Sequence, residues 1–493
     1  MAEIAVIGAG LGGLSAAIAL AAAGQSVDVY EASSRPGGKA GIAVLDGVEV
    51  DTGPSVLTLP EVIDGLLRQA GTRLSDELTL RHLSPAFRYR YPDGACVDIF
   101  HDPEESAASV ARALGSDAEA EFRDFLAYAA RIWDIAAPAF VYGPAPSLDL
   151  VRRLGPLAML QFRHVDPFRT MWGAIRSRVR SPHLRALFAR YATYNGSDPR
   201  AAPATLSCIA HVEMGLGGWG VEGGVYALVR ALVRVARRLG VRLHLGAPVR
   251  RVLVEGGKAR GVVLDSGERR ADAVVCNADV AHLIGALLPA QPPHGLKRPA
   301  VPSMSGWTGI LKARRRAGGR APHTVLFPAD YAQEFADIFD RDRPPEAPTV
   351  YLCAQEPCHG RAGWPEHEPV FVMANAPAEP EGGRAADTWT ALQDRVLARV
   401  RDAGLVDPDD ALIAAHTPAD LARAWPGSRG SLYGAASNSM FAAFQRPANR
   451  VRALPGLYLA SGSAHPGGGM PLCVQSGRQA AAEIRADLGL AVP

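Results

Sequence analysis

The chain has 493 residues, enough for two or three domains at roughly 100–200 residues each. Its 52 basic and 50 acidic residues leave a formal charge of +2, a balance that argues against a polyanion as the main partner. Hydrophobic residues make up 48% and charged residues 21%, the oily end of ordinary globular composition.

The first residues, Met1-Ala2-Glu3, lack a basic n-region, so no signal peptide is expected. No apolar run approaches the roughly 18–20 residues of a spanning helix. Residues 4–7 read as a buried parallel strand. Residues 11–23, rich in Ala and Leu, read as a helix that stops at Gly24, and residues 26–30 as a second strand. Together they form a βαβ unit. Residues 104–135 and 147–190 look helical, and residues 224–239 form another helix closed by Gly240. Residues 249–263 read as a hairpin turning at Glu255-Gly256-Gly257-Lys258. Asp265-Ser266-Gly267 is a further turn, and residues 273–276 form an apolar strand ending at Asn277. Residues 296–445 mix short strands with Pro- and Gly-rich loops. Residues 457–460 are a last strand and 480–488 a closing helix. The Pro-rich stretch 291–302 reads as a crossing between domains.

Six cysteines, at 96, 208, 276, 353, 358 and 473, contain no Cys-x-x-Cys pair and read as reduced, cytosolic thiols. Cys353, Cys358 and His359 fit no common zinc spacing, and no metal is expected.

Gly8-Ala9-Gly10-Leu11-Gly12-Gly13 matches G-x-G-x-x-G between a strand and a helix, the context in which the motif carries meaning. The first glycine makes the tight turn, the second admits the pyrophosphate to the backbone, and the third lets helix pack on strand. Free N–H groups and the positive helix end then face the phosphates. Glu31 ends the second strand, where an acid accepts hydrogen bonds from ribose hydroxyls and argues against NADP.

Two more regions decide between FAD and NAD. Arg35-Pro36-Gly37-Gly38-Lys39 and Asp51-Thr52-Gly53-Pro54-Ser55 follow the βαβ unit. Near the end, 457–462 leads into His465-Pro466-Gly467-Gly468-Gly469-Met470-Pro471. With the middle hairpin these segments resemble the flavoprotein superfamily of amine oxidases, protoporphyrinogen oxidases and carotenoid desaturases, which implies FAD. The resemblance implies that Gly38, Lys39, Pro54 and Ser55 lie along the flavin and its phosphates. It implies that Val249 offers its backbone to the adenine, and that Gly462, Ser463 and Met470 lie near pyrophosphate, ribitol and flavin ring. Asn277 joins them as a cofactor-site candidate. The implied fold is α/β. A Rossmann-like FAD-binding domain is built from 1–85, 216–289 and 446–493. A mixed-sheet substrate domain uses 86–100 and 290–445, and a helical subdomain spans 101–215.

Within that superfamily, His465–Pro471 is similar to the His-Pro-Gly-x-Gly-x-Pro of the bacterial-type carotenoid (phytoene) desaturases. Trp219, Glu222, Gly223 and Gly224, and the stretch 51–60, are similar to further segments of that family. Residues 190–196, Arg-Tyr-Ala-Thr-Tyr-Asn-Gly, resemble the subgroup that desaturates 1-hydroxylated acyclic carotenoids at the 3,4 bond. Gln475 is a polar departure after the last motif. The resemblance implies hydride transfer from an allylic carbon to flavin N5, with the protein orienting the polyene and excluding water. His465 is a candidate base or a loop-fixing residue, and Glu213 and Glu222 are candidates for the same role or for a salt bridge or turn; no catalytic residue is assigned. A phytoene-type desaturase, a flavin oxidase of a soluble amine, and a flavin-bearing binding protein remain as alternatives. A lipophilic polyene implies access from a bilayer, hence a cytoplasmic protein peripheral to the inner face of the membrane. Residues 147–190 mix Leu, Phe, Met and Trp172 with arginines, and read either as an interfacial surface or as a helical subdomain with a solvated basic face. Arg314-Arg315-Arg316 reads as a solvated loop or as a lipid-phosphate contact.

Overall fold

A computed structural model describes residues 1–146, 165–288, 293, 296–298, 301–439 and 446–490. A five-stranded parallel sheet runs in the order Leu457–Leu459, Ala273–Cys276, Glu3–Ile7, Ser26–Tyr30, Arg242–His244. Strands from both ends and the middle of the chain therefore share one sheet. The central strands are short apolar runs buried on both faces, as a sheet covered by helices requires. One covering helix is Leu11–Ala22, buried over 11 of its 12 residues. It packs against the final helix, Met470–Asp487, so closely that a Cβ on Gly477 would strike the Gly12 carbonyl oxygen.

That final helix begins ten residues before the expected position of 480. Pro471 sits in its first turn, where a missing N–H costs nothing. Buried Gln475, Ser476 and Gly477 continue it, and these polar and small residues hide its apolar pattern in the sequence.

A three-stranded antiparallel sheet, Val249–Glu255, Lys258–Leu264 and Gly267–Arg270, projects beside the first. Its hairpin turns at Gly256 and Gly257, with φ of 56° and 72°, as a tight two-residue turn demands. A second large sheet has seven strands in the order Ala411–His416, Ser305–Arg314, His367–Ala376, Val350–Ala354, His323–Leu326, Phe87–Arg90, Cys96–Ile99. One pair, Phe87–Arg90 with His323–Leu326, is parallel, and the others are antiparallel.

The region expected as one helical stretch from 104 contains two helices, Pro103–Leu114 and Ser116–Ala136, because Gly115 breaks it at φ 92°. The second helix buries Phe122, Phe125, Tyr128 and Ile132 against Met171–Arg178 and Pro182–Ala189. Residues 147–164, with Arg152, Arg153, Leu154, Leu157, Met159, Leu160, Phe162 and Arg163 of the interfacial reading, lie outside the described residues. Of the rest, Met171 and Ile175 are fully buried core, not surface. Arg169 and Arg178 pair with Asp166 and Asp124. Phe168, by contrast, is 83% exposed. No helix among the described residues is long and apolar enough to cross a membrane.

Candidate cofactor and substrate site

The two large sheets and the helical region enclose one cavity of about 1630 Å³, beyond the roughly 300–1,000 Å³ of an ordinary small-ligand site. At one end it is walled by Gly8, Gly10, Leu11, Gly12, Glu31, Gly38, Lys39, Pro54, Ser55, Val249, Asn277, Gly462, Ser463 and Met470. Fourteen of the sixteen candidates thus meet around one space. Ala9 and Gly13 lie behind the wall. Ala9 is fully buried, and Gly13 packs so tightly that a Cβ would collide with the Gly8 carbonyl oxygen. Gly13 is therefore the helix-on-strand glycine, and it acts on the cofactor only by fixing the loop.

Two helices start on this wall, Leu11–Ala22 after Gly10 and Met470–Asp487 after Gly469. Neither has a side-chain cap or an acidic residue in its first turn. Their free N–H groups and positive ends call for an anion from outside the chain, and a pyrophosphate supplies it. A Cβ on Gly10 would lie 2.5 Å from Asn277 Oδ1, and one on Gly12 would strike the Ala460 carbonyl oxygen. The cradle thus has backbone where other residues would have side chains, and it fits a dinucleotide.

Asn277 organises that cradle. Its Oδ1 accepts the Gly10 N–H at 3.0 Å, and its amide donates to the Ala460 carbonyl, so one side chain ties the first loop to the last strand. Glu31 Oε2 accepts the Ala9 N–H at 2.7 Å, and Oε1 accepts from the backbone and hydroxyl of Ser33. The carboxylate is thereby fixed at the cavity wall with lone pairs to spare. Val249 lines the cavity beside Pro248 and Arg250. Ser463 Oγ accepts the Val280 N–H at 2.9 Å. Lys39 has a more specific placement than the phosphate contact implied by resemblance. Its ammonium donates to the carbonyls of Ser431 and Leu432 at 2.8 and 2.9 Å, and burial lowers its pKa. It fastens the loop over the cavity.

Arg446, absent from the sequence candidates, is buried and donates to the carbonyls of Tyr433, Ala435 and Gly462 and to Asn195 Oδ1. Burial lowers its pKa to about 10. Arg446 is one of three arginines within residues 446–452, and nothing in their spacing marks it for this role. Asp51 likewise accepts the Val225 and Tyr226 N–H groups at the start of the helix Tyr226–Arg238.

The proposed acid–base candidates take structural positions. His465 Nε2 lies 3.1 Å from the Gly143 carbonyl, which fixes the loop, and burial lowers its pKa. Glu222 pairs with Arg81 at 2.6 Å. Glu213 is buried and accepts from the Tyr191 and Tyr194 hydroxyls. Arg315 and Arg316 pair with Glu356 and Asp407, while Arg314 ends the strand Ser305–Arg314 and is exposed. Cys353 and Cys358 are buried with His323, which the spacing had not brought to them: Cys358 Sγ lies 3.4 Å from His323 Nε2. His359 Nδ1 accepts the Val221 N–H.

Away from the cradle the cavity is lined by Trp133, Phe140, Leu206, Ile209, Val212, Phe371 and Met373. Phe168 lines it and is also solvent-exposed, which sets a mouth on the helical side.

The cradle and the apolar chamber that opens from it fit an FAD-dependent oxidoreductase. The family described as flavin containing amine oxidoreductase matches residues 11–485, and the chain belongs to it. Among relatives, the hydroxyneurosporene desaturase of Rubrivivax gelatinosus is 36% identical over 99% of this chain and 94% of its own. That of Rhodobacter capsulatus is 36% identical over 98% of each. A 4,4'-diapolycopene oxygenase from Methylomonas sp is 32% identical over 99% of this chain and 98% of its own. Cyclohexylamine oxidase from Brevibacterium oxydans shares the fold, with a TM-score of 0.61, 18% identity and 99% coverage of both chains.

Proposed function

We propose that the protein desaturates an acyclic carotenoid with a hydroxyl at C1, introducing the 3,4 double bond. The observation that carries this reading is the chamber. Its walls are aromatic and aliphatic, and it runs from the FAD cradle to a mouth at Phe168. Near full-length similarity to two hydroxyneurosporene desaturases supports the same substrate class. FAD, when bound, is the hydride acceptor. The chain's residues hold the polyene in line with the cradle and keep water from the reacting carbons. Arg446 and Asn277 keep the loops that form the cradle in register.

A polyene reaches such a chamber from a bilayer. The exposed Phe168 at the mouth supports a peripheral position at the cytoplasmic membrane surface. Co-expression with acyclic carotenoid pathways, with and without 1-hydroxylation, followed by pigment chromatography, tests the function. A red-shifted product from the hydroxylated pathway is expected. A protein that leaves all acyclic carotenoids untouched and oxidises a soluble amine without lipid overturns it.

A further inference from the structure

Beyond the cofactor end, one side chain in the chamber has donors to spare. Arg190 opens the 3-10 turn Arg190–Asn195. Its side chain is only 8% exposed, and it lines the cavity. Of the five N–H donors of a guanidinium, one makes a hydrogen bond among the described residues, Nη1 to the Tyr89 hydroxyl at 3.2 Å. The rings of Phe87, Tyr89, Tyr194 and Tyr351 surround the guanidinium with centroids 5.1 to 5.9 Å away. A buried cation with unused donors, in a chamber otherwise suited to hydrocarbon, has a cost that a ligand oxygen relieves.

We propose that Arg190 is an oxygen-binding subsite that donates hydrogen bonds to a neutral hydroxyl or ether oxygen on one end of the polyene and so selects oxygenated substrates. The inference rests on the carotenoid reading above. A carboxylate is the wrong ligand. Glu213 already lies 3.8 Å from Arg190, so a second anion would leave a net negative charge in a low-dielectric chamber. A neutral oxygen uses the free donors and disturbs no charge balance. Burial works against the Arg190 charge, but the Glu213 carboxylate 3.8 Å away and the surrounding rings stabilise it, and its pKa stays well above the ordinary value. The donor is therefore always charged and cannot accept a proton.

The position also suits the reaction. Arg190 and Tyr433 line the same cavity, and the Tyr433 ring packs on Gly468 in the flavin-side loop. Asn195, at the other end of the same turn, accepts from Arg446, which donates to Gly462. An oxygen on C1 is three to four single bonds from C3 and C4, about 3.5–5 Å at roughly 1.5 Å per bond. Holding that oxygen holds the reacting carbons.

The test is anaerobic stopped-flow bleaching of the holoenzyme's flavin in phosphatidylcholine liposomes. One batch carries a 1-hydroxylated acyclic carotenoid and another its parent hydrocarbon. Wild type should reduce faster with the hydroxylated chain by about 10–100-fold, the value of a hydrogen bond to a charged donor. Arg190→Met combined with Glu213→Gln should lose most of that ratio, chiefly by slowing the hydroxylated substrate, with FAD content unchanged. Arg190→Lys should keep an intermediate ratio, and it carries the comparison if the double variant does not fold. Equal slowing of both substrates, an unchanged ratio, or a wild type indifferent to the hydroxyl overturns the subsite. A wild type bleached by neither carotenoid overturns the function itself.

Discussion

Replacing Asn277 with Ala isolates the side chain that joins the two halves of the cradle. The change deletes a hydrogen bond to Gly10 N–H and another to the Ala460 carbonyl. Each is worth about 0.5–1.5 kcal/mol, and a backbone donor left without a partner costs about 1–3 kcal/mol. Water entering the space left behind recovers part of this, so a combined loss of about 2–3 kcal/mol is expected, with FAD as the ligand that must reorder both loops. That corresponds to about a 30–150-fold rise in the FAD Kd, as a ceiling, because some of the loss also weakens the apoprotein. Asn277→Asp keeps an acceptor for Gly10 but sets a carboxylate oxygen against the Ala460 carbonyl and adds a negative charge beside the phosphates. It should bind FAD more weakly than the Ala variant. Titration of flavin-stripped protein by fluorescence, with thermal melts of the apo forms, separates the two shares. Wild-type affinity in Asn277→Ala, or tighter binding by Asn277→Asp than by Asn277→Ala, refutes the reasoning.

Gly13→Val places a branched side chain against the Gly8 carbonyl, so it should yield little soluble holoprotein; a full flavin content measured by absorbance would count against the packing role. Because burial lowers the His465 pKa below its ordinary value of 6.5, the unfolded chain binds that proton first as the pH falls below about 6.5. Stability is therefore lost from there down to the folded-state pKa. His465→Gln keeps a donor at the Nε2 position for Gly143 and should flatten part of the slope of Tm against pH in that acidic window, and an unaltered slope argues against it. Phe168→Asp should reduce co-sedimentation with liposomes while leaving FAD content intact, and undiminished pelleting places the membrane contact elsewhere.

The cofactor end was legible because its logic is local. Gly8 to Gly13 and Glu31 form one strand–turn–helix–strand unit, and the φ of 93° at Gly8 and the close contacts at Gly10 and Gly12 are properties that only glycine satisfies. Asn277 came within reach because it follows a strand that ends on the same wall, and Met470 because its motif resembles the family's, not because its helix was seen. The final helix was read short because Gly477, which a strand-like or loop-like reading also accommodates, is there for its contact with Gly12. Arg446 and the pairing of His323 with Cys353 depend on contacts between segments far apart in the chain, and no spacing rule encodes them. The chamber was legible only as a requirement of the substrate. Its walls come from Trp133, Leu206 and Phe371, which belong to three separate elements and carry no common pattern. Met171 and Ile175 show the converse. An apolar residue among arginines looks interfacial in sequence, yet the helix Ser116–Ala136 covers both.

The cluster around Arg190 offers a last test of whether function or stability keeps it. Glu213 has a side chain only 1% exposed, and its two oxygens accept from Tyr191 and Tyr194. Removing Arg190 alone leaves this carboxylate as an uncompensated buried charge, which typically costs about 3–5 kcal/mol. Removing both charges leaves an amide at 213 whose oxygen still accepts from a tyrosine, together with a Met of similar reach at 190. Such replacements of a buried pair are often neutral or stabilising. Arg190→Met should therefore melt well below wild type, and adding Glu213→Gln should restore most of the loss, as measured by thermal denaturation of the FAD-saturated proteins. If the double variant melts no higher than the single one, the pair is held for stability through contacts other than its charges. If it recovers while selectivity for the oxygenated polyene stays lost, the fold does not need the pair, and the remaining reason for a guanidinium in an aromatic chamber is the oxygen it binds.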